Sequence, residues 1–463
     1  MSTLIILGAL ALLMFVAYRG MSVILFAPVA AMLAVLLTDP VSVPVLFSSV
    51  FMEKAAGFIK LYLPVFLLGA VFGKLIDISG FSKSIVAFVF KVIGPKHVIA
   101  SIVLVCGILT YGGVSLFVVV FAVYPFAAEM FKKGEIPKRL IPATLALGSF
   151  TFTMDALPGS PQIQNIIPTT FFGTNTWAAP WLGVLDALLI LAFGLTYLNR
   201  RRRTASLKGE GYGSDHKLEP EVSAEAPGIH PLLAMLPLFV VFVVNLALTY
   251  AIPRFYGDTY ETLLPGMDAA IKTEIKSVTA IWAVEGAMLL GILTILVFAY
   301  KVVAEKFAQA SVAAVSGALL ASMNTAAEYG FGAVIAALPG FLLIKNALKS
   351  IPNTLINEAV TVTTLAGITG SASGGLSIAL AATSKSIIAS AQTAGIPMEV
   401  LHRVASIACG GMDTLPHNGA IITLLAVTGL THRQSYGDIF AITCFKTVAV
   451  FLVIAFYLVT GIA

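Results

Sequence analysis

Two carboxylates set in matching apolar surroundings are the residues best placed to do chemistry in this chain: Asp155 in Met154-Asp155-Ala156-Leu157-Pro158 and Asp413 in Met412-Asp413-Thr414-Leu415-Pro416, 258 positions apart (413 − 155). A carboxylate and a proline are each costly inside a membrane helix, so their joint recurrence needs a reason. Proline lacks an N–H and breaks the helical ladder, which frees carbonyls on one side of the break and amides on the other. Amides at the positive end of a half-helix are a ready site for a carboxylate ligand. Past the first break lie Gly159, Ser160, Gln162 and Asn165, and past the second His417, Asn418 and Gly419, which offer uncharged hydrogen bonds to a hydroxylated ligand. A plain pair of proline kinks with capping aspartates would account for one copy; two matched copies favour a binding site. Asp155, Asp413, Glu328 and Glu358 are the candidates for carrying a coupling ion, because ionisable groups in membrane sequence usually face a cavity or a partner. His417 stands in a repeated motif, and the other five histidines are assigned to turns or the linker.

Further pairs accompany the carboxylates. Gly112-Gly113-Val114-Ser115 is echoed by Gly374-Gly375-Leu376-Ser377, Gly134-Glu135-Ile136-Pro137 by Gly395-Ile396-Pro397, and Phe72-Gly73 by Phe331-Gly332. The offsets stay between 258 and 262 (413 − 155, 374 − 112), which describes one drifting repeat. The Gly-Gly-x-Ser markers permit tight reversals, so Gly113, Ser115, Gly375 and Ser377, with Ser373 among the hydroxyls of Thr369-Gly370-Ser371-Ala372-Ser373, are expected at the tips of two re-entrant hairpins and are candidate substrate ligands. Paired interruptions in two hydrophobic halves point to the substrate site of a secondary transporter.

The elements that must carry these residues are membrane helices. Charged residues form 11% of the 463 residues and hydrophobic ones 58%, with a mean hydropathy of +0.96. A soluble fold, whose helices show one face to water, could not bury that much apolar surface. Apolar segments near 3–17, 22–38, 56–79, 82–94, 97–130, 139–153, 162–172 and 177–198 precede a polar stretch. Others follow near 231–252, 278–299, 311–345, 354–369, 373–394, 400–411, 419–430 and 437–461. Pieces such as 162–172, 400–411 and 419–430 are too short to cross a core of about 30 Å and suit broken helices or hairpins. This divides the chain into a first membrane repeat, 1–198, a cytoplasmic linker, 199–230, and a second membrane repeat, 231–463. Arg200 to Arg203 place the linker in the cytoplasm. With Lys301 and Lys306 at another cytoplasmic turn, the halves enter from opposite faces, as inverted-topology repeats do. The three cysteines show no pairing or metal-ligand spacing. No nucleotide loop or nucleophile elbow stands out, so neither an enzyme nor a cofactor is expected. The net charge of +5 is concentrated in the Arg200–Arg203 run and does not signal nucleic acid.

These motifs resemble the gluconate permease family of bacterial proton symporters, within the wider ion-transporter superfamily. The likeness is nearly full length: a first helix without a signal, Gly73-Lys74 through Gly80, the proline-rich first break, and Gly367-Ile-Thr-Gly-Ser-Ala-Ser-Gly-Gly followed by Gly395-Ile396-Pro397. The resemblance implies an all-α polytopic protein of two inverted repeats with re-entrant hairpins and broken helices. It further implies a homodimer in the bacterial inner membrane that moves its site by an elevator motion. Gluconate carriers typically have a His-Gly-x-x-Pro-Pro-His-Pro type of first break, where this chain has Asp155-Ala-Leu-Pro-Gly-Ser-Pro. The variant looks more like permeases for 3-hydroxybutyrate. The expectation is proton-coupled import of a small hydroxy-monocarboxylate, with gluconate symport or sodium coupling as alternatives and an ion channel as a distant one.

Overall fold

The computed structural model describes residues 2–463 apart from 20, 95–96, 215, 217–218, 221–228, 343–350 and 417. His417 therefore lies outside the described residues. Within them the regular secondary structure is helical except for one antiparallel ribbon, β1 (Thr259–Thr262) with β2 (Ile271–Glu274). Among the described residues, five helical stretches are long and apolar enough to cross a membrane.

The first half runs α1 (Ser2–Tyr18), α2 (Val23–Leu36), α3 (Val43–Leu46), α4 (Glu53–Ile78) and α5 (Phe81–Ile93). It continues with α6 (Val98–Tyr111), α7 (Leu116–Lys133), α8 (Ile141–Ser149), α9 (Phe152–Asp155), α10 (Ile163–Phe172) and α11 (Pro180–Leu207). The second half runs α12 (Pro231–Tyr256), the ribbon, α13 (Ile275–Ala337), α14 (Thr354–Thr369), α15 (Ala372–Ala394), α16 (Met398–Cys409), α17 (Gly419–Thr428) and α18 (His432–Thr460).

The repeat is visible in the elements themselves. A π turn, Phe47–Met52, joins α3 to α4, so that Pro40–Ile78 forms one stretch of 39 residues. Shifting it by the Gly73 to Gly332 offset of 259 lands on Ala299 and Ala337, the kink of α13 and its end. Sequence reading placed two spans here, 278–299 and 311–345, with a turn at Lys301 and Lys306. The structure instead carries the helix through, with Ala299 (φ −126°, ψ 21°) as its non-helical residue. The segment Lys301–Ala310 contains neither Gly nor Pro and is rich in helix formers, so nothing in it stops the helix.

Each half then makes a hairpin. The first, α6–α7, turns at Gly113 (φ 95°) and the second, α14–α15, at Gly370 (φ 64°), the left-handed region that glycine enters without steric cost. This corrects the pairing of the Gly-Gly-x-Ser markers: Gly374, Gly375 and Ser377 lie in the first turns of α15, past the tip. A side chain at Gly375 would strike the backbone of Ala366, so this glycine serves close approach of the two hairpin arms.

The halves are inverted. Arg201 near the end of α11 pairs with Asp438 near the start of α18 at 2.7 Å, while Tyr197 and Phe193 meet the ring of Phe445, so the two helices run antiparallel. Residue Gly173, closing α10, sits against Lys276 beside the ribbon, whereas the Thr428 carbonyl closing α17 accepts a bond from Tyr124 of α7. The hairpins are also exchanged: α15 packs on α10, and α7 packs on α17.

At the end of the molecule that carries Arg201, the start of the linker is strapped down. Arg139 donates to both oxygens of Glu210 and to Asp438, and Lys138 donates to Glu219. The Arg139 guanidinium holds the Glu210 carboxyl below its ordinary value.

Candidate functional site

The two breaks meet at the centre of the protein. Lys446, midway along α18, places its Nζ 3.1 Å from Asp155 Oδ2, 3.2 Å from Asp413 Oδ1 and 2.9 Å from the Phe150 carbonyl. The contact to Asp155 is at ion-pair distance without hydrogen-bond geometry. All three side chains are buried, at 1% to 3% exposure. Gly410 is what lets them converge, because a methyl group there would collide with the Asp155 carboxylate and with Lys446. The matched carboxylates, 258 positions apart in sequence, thus share one ammonium.

The first break is braced from the opposite half. Arg403 of α16 donates to the carbonyls of Ala156 (2.9 Å), Ala178 (3.0 and 2.7 Å) and Thr176 (3.3 Å), and to Asn165 Oδ1 (3.0 Å). Its neighbour His402 lies 2.6 Å from Thr174 Oγ1 and 3.2 Å from Asn165 Oδ1. Ser406, one turn on, donates to the Asp155 carbonyl at 2.6 Å. Arg403 and His402 are fully buried on α16, so assigning every histidine but His417 to turns or the linker is wrong for His402.

The uncharged ligands expected in the first half and at the second break fall into three groups. Ser160 and Asn165 are internal braces: Ser160 donates to the Thr153 carbonyl, and the Asn165 amide donates to the carbonyls of Ser160 and Thr176. Gly159 packs under the Trp177 ring, and its carbonyl accepts from Asn245 of α12. Asn418 caps its own half-helix, accepting from the amides of Ala420 and Ile421, so the first turn of α17 beginning at Gly419 is already occupied. The remaining group is at the start of α10. Gln162 is turned away to donate to the Thr110 carbonyl near the first hairpin tip at 2.7 Å, which leaves α10 with no side-chain cap. Tyr111 donates to the Pro158 carbonyl, and Pro161 packs on Gly113, so this tip, with half-buried Ser115 after it, is docked on the first break. Gln164, 7% exposed, has an Oε1 without a hydrogen-bond partner.

At the second hairpin, Glu328 of α13 contacts the Ser371 hydroxyl at the tip and lies directly over Gly374, while Thr325 and Ser373 hydroxyls are 3.3 Å apart. Ser377 Oγ and both oxygens of Glu358 on α14 are buried without a hydrogen-bond partner. A cleft of about 420 Å³ between Ile108, Tyr111, Leu232 and Phe242 is lined almost wholly by apolar groups and lacks the donors a carboxylate needs. Among the described residues no group of His, Cys, Asp or Glu is arranged to hold a metal.

The sequence reading missed Lys446, Arg403 and Asp186, each in an apolar segment it had marked. Asp186 on α11 and Lys446 on α18 stand 260 positions apart (446 − 186), inside the drift of the repeat, and the rule that singles out Asp155 applies to all three.

The chain has relatives. The chain is 56% identical over 471 residues to the uncharacterized transporter YxjC of Bacillus subtilis (strain 168), with 100% of each chain covered. It belongs to that transporter family. No family model matches the chain. Among solved structures it is similar to the crystal structure of the Alcanivorax borkumensis YdaH transporter, described as revealing an unusual topology. The TM-score is 0.51 at 14% identity, over 89% of this chain and 88% of that one, a likeness of fold. The protein is a multi-pass membrane transporter.

Proposed function

We propose that this transporter imports a small hydroxy-monocarboxylate, 3-hydroxybutyrate before gluconate, together with a proton across the bacterial inner membrane. The observation that carries the reading is the uncapped start of α10 beside the docked hairpin tip. Amides of a half-helix N-terminus attract a carboxylate, and the Gln164 amide oxygen beside them accepts a hydroxyl proton. Partly exposed Ile163 at the same helix start suits a methyl end better than a chain of hydroxyls. A monoanion moving with one proton is electroneutral, and the buried carboxylates at the breaks supply groups on which a proton can ride. The likeness to the gluconate permease family supports proton coupling, the break that departs from its histidine pattern supports a smaller substrate, and the protein acts without a cofactor and not as an enzyme.

The two hairpins and two broken helices form the moving part on this reading, and the scaffold helices pair two copies as a homodimer. Uptake of labelled hydroxy acids into proteoliposomes under an imposed pH gradient, with and without sodium, tests the proposal. Accumulation of 3-hydroxybutyrate that follows the pH gradient is expected. Sodium-dependent uptake that ignores pH would overturn the coupling, and uptake of gluconate alone would overturn the substrate. Cysteines placed at Ser2 and Ala463 are expected to label from outside the cell, and one at Ser214 only from within; the reverse pattern would invert the topology.

A further inference from the structure

The centre of the protein contains one carboxyl more than its fixed cations can match. Asp155, Asp186 and Asp413 face Lys446 and Arg403, all of them buried. Lys446 is shared by Asp155 and Asp413. Arg403 has five N–H groups, and its five hydrogen bonds all end on carbonyl oxygens: Ala156, Thr176, Ala178 twice, and the Asn165 amide. Asp186, 0% exposed, is left with neither oxygen in a hydrogen bond. It sits one turn beyond Gly183, where α11 comes so close to the Ala156 carbonyl and to Arg403 that no side chain fits.

The helices packed on α11 bring these ionisable groups to their buried sides: Lys446 and Asp438 from α18, the latter held by Arg201 toward the other end of α11; His402, Arg403 and Cys409 from α16, whose Glu399 is exposed; Asp155 from α9; and Cys106 and half-buried Tyr111 from α6, while α8 brings none. An ionised Asp186 in that setting would be a buried charge without a donor, the costliest arrangement open to it.

We propose that Asp186 is the residue on which the transported proton rides, and that Arg403 reports its protonation to the first break. This deepens the proton-symport reading above and rests on it. In the arrangement seen, the Asp186 carboxyl holds the proton and Arg403 is committed to the break. When the O–H bond of Asp186 breaks and the proton leaves to the aqueous side, the carboxylate competes for the guanidinium. Arg403 then gives up carbonyls of the segment 156–178, which carries the start of α10. One proton is bound and one released per cycle, and no bond other than O–H is made or broken. The repeat explains why the device is single: the position that holds a carboxyl in α11 holds an ammonium, Lys446, in α18.

The test uses the full-length protein. In infrared spectra near neutral pH, taken without any substrate, a carbonyl band of protonated carboxylic acid is expected in the wild type, and Asp186→Asn is expected to lose one component of it while that of the equally unpartnered, buried Glu358 remains. The same variant is expected to stay folded, to continue exchanging labelled for unlabelled 3-hydroxybutyrate, and to lose at least about tenfold of the accumulation driven by a pH gradient. Asp186→Glu is expected to keep coupling with a displaced pH profile. Undiminished pH-driven accumulation in Asp186→Asn, or loss of exchange together with accumulation, would overturn the assignment. So would an acid band whose shape and intensity are the same in Asp186→Asn as in the wild type. Because the infrared readout needs no substrate, a wild type that shows the component lost in Asp186→Asn but carries no hydroxy acid would sink the substrate reading and leave Asp186 as the proton site.

Discussion

The two breaks occupy equivalent places in the two halves, and they are built differently. The second is closed on itself: Asn418 caps α17, Thr447 and Tyr436 of α18 hold the carbonyls of Gly411 and Thr414, and the hydroxyls of Thr414 and Thr443 meet. The first depends on residues far away in sequence, Arg403, Ser406 and Asn245, and it leaves the start of α10 without a cap. The repeat therefore supplies a symmetric frame, while the chemistry is divided: one break is an anchor and the other is a receptor. A helix start without a side-chain cap stands beside an unpaired amide oxygen on the receptor side, at α10 and Gln164.

Lys446→Met is expected to be the most damaging change, since both breaks lean on that ammonium. Removing one member of a buried ion pair typically costs about 3–5 kcal/mol, and here two carboxylates are left. A large fall in thermal stability in detergent is expected, and a stability unchanged from wild type would show that the breaks do not depend on each other. Next come Asp155→Ala and Asp413→Ala. Both are expected to abolish uptake with the protein still present in the membrane, and wild-type uptake by both would reduce the pair to a structural feature.

The comparison sharpens with a second pair of variants. Gln164→Ala, on the receptor side, is expected to raise KM for a hydroxy acid about tenfold, roughly 1.4 kcal/mol of binding, with little change in stability. Asn418→Ala, on the anchor side, is expected to do the converse: lose about 1 kcal/mol of stability, as for a removed helix cap, and leave KM within about twofold. The opposite outcome would exchange the roles of the two breaks.

The smallest effect is expected at the strap. The folded-state value of Glu210 lies below its ordinary 4.5 because Arg139 stabilises the carboxylate, so the contribution is present above that ordinary value and disappears as the pH falls through the lowered one. Glu210 is 39% exposed and partly screened by solvent, so Glu210→Gln should lower stability at pH 7 by no more than about 0.5 kcal/mol. The gap to wild type should close in acid.

Much of this frame was legible in the chain. The proline-carboxylate phrases located both breaks, because proline and a buried carboxylate are each so unfavourable in an apolar helix that sequence alone exposes them. Hairpin tips were found less well. The true equivalents, Gly113 and Gly370, are set by backbone conformation, while Gly374 and Gly375, chosen by their letters, answer to packing between helices. The division between anchor and receptor could not be read at all. It turns on where Gln162 and Asn418 point: the shorter Asn418 reaches back to cap its own helix, while Gln162, one methylene longer, donates across to the Thr110 carbonyl. Lys446, Asp186 and Arg403 were readable as charges within apolar segments, but their convergence depends on how the inverted halves interlock.

Lys446 also fixes when the protein can become whole. It lies in the last helix, and a ribosome adding about 5–20 residues per second needs on the order of 10–50 s to reach it after Asp186 has been made. For that interval Asp155 and Asp186 are in the nascent chain without the ammonium that the finished centre provides. The first half cannot complete its own core during synthesis. Final assembly must wait for the end of the chain, so a truncation that removes α18 would strand Asp186 and Asp155, 246 and 277 residues upstream of the cut (432 − 186, 432 − 155).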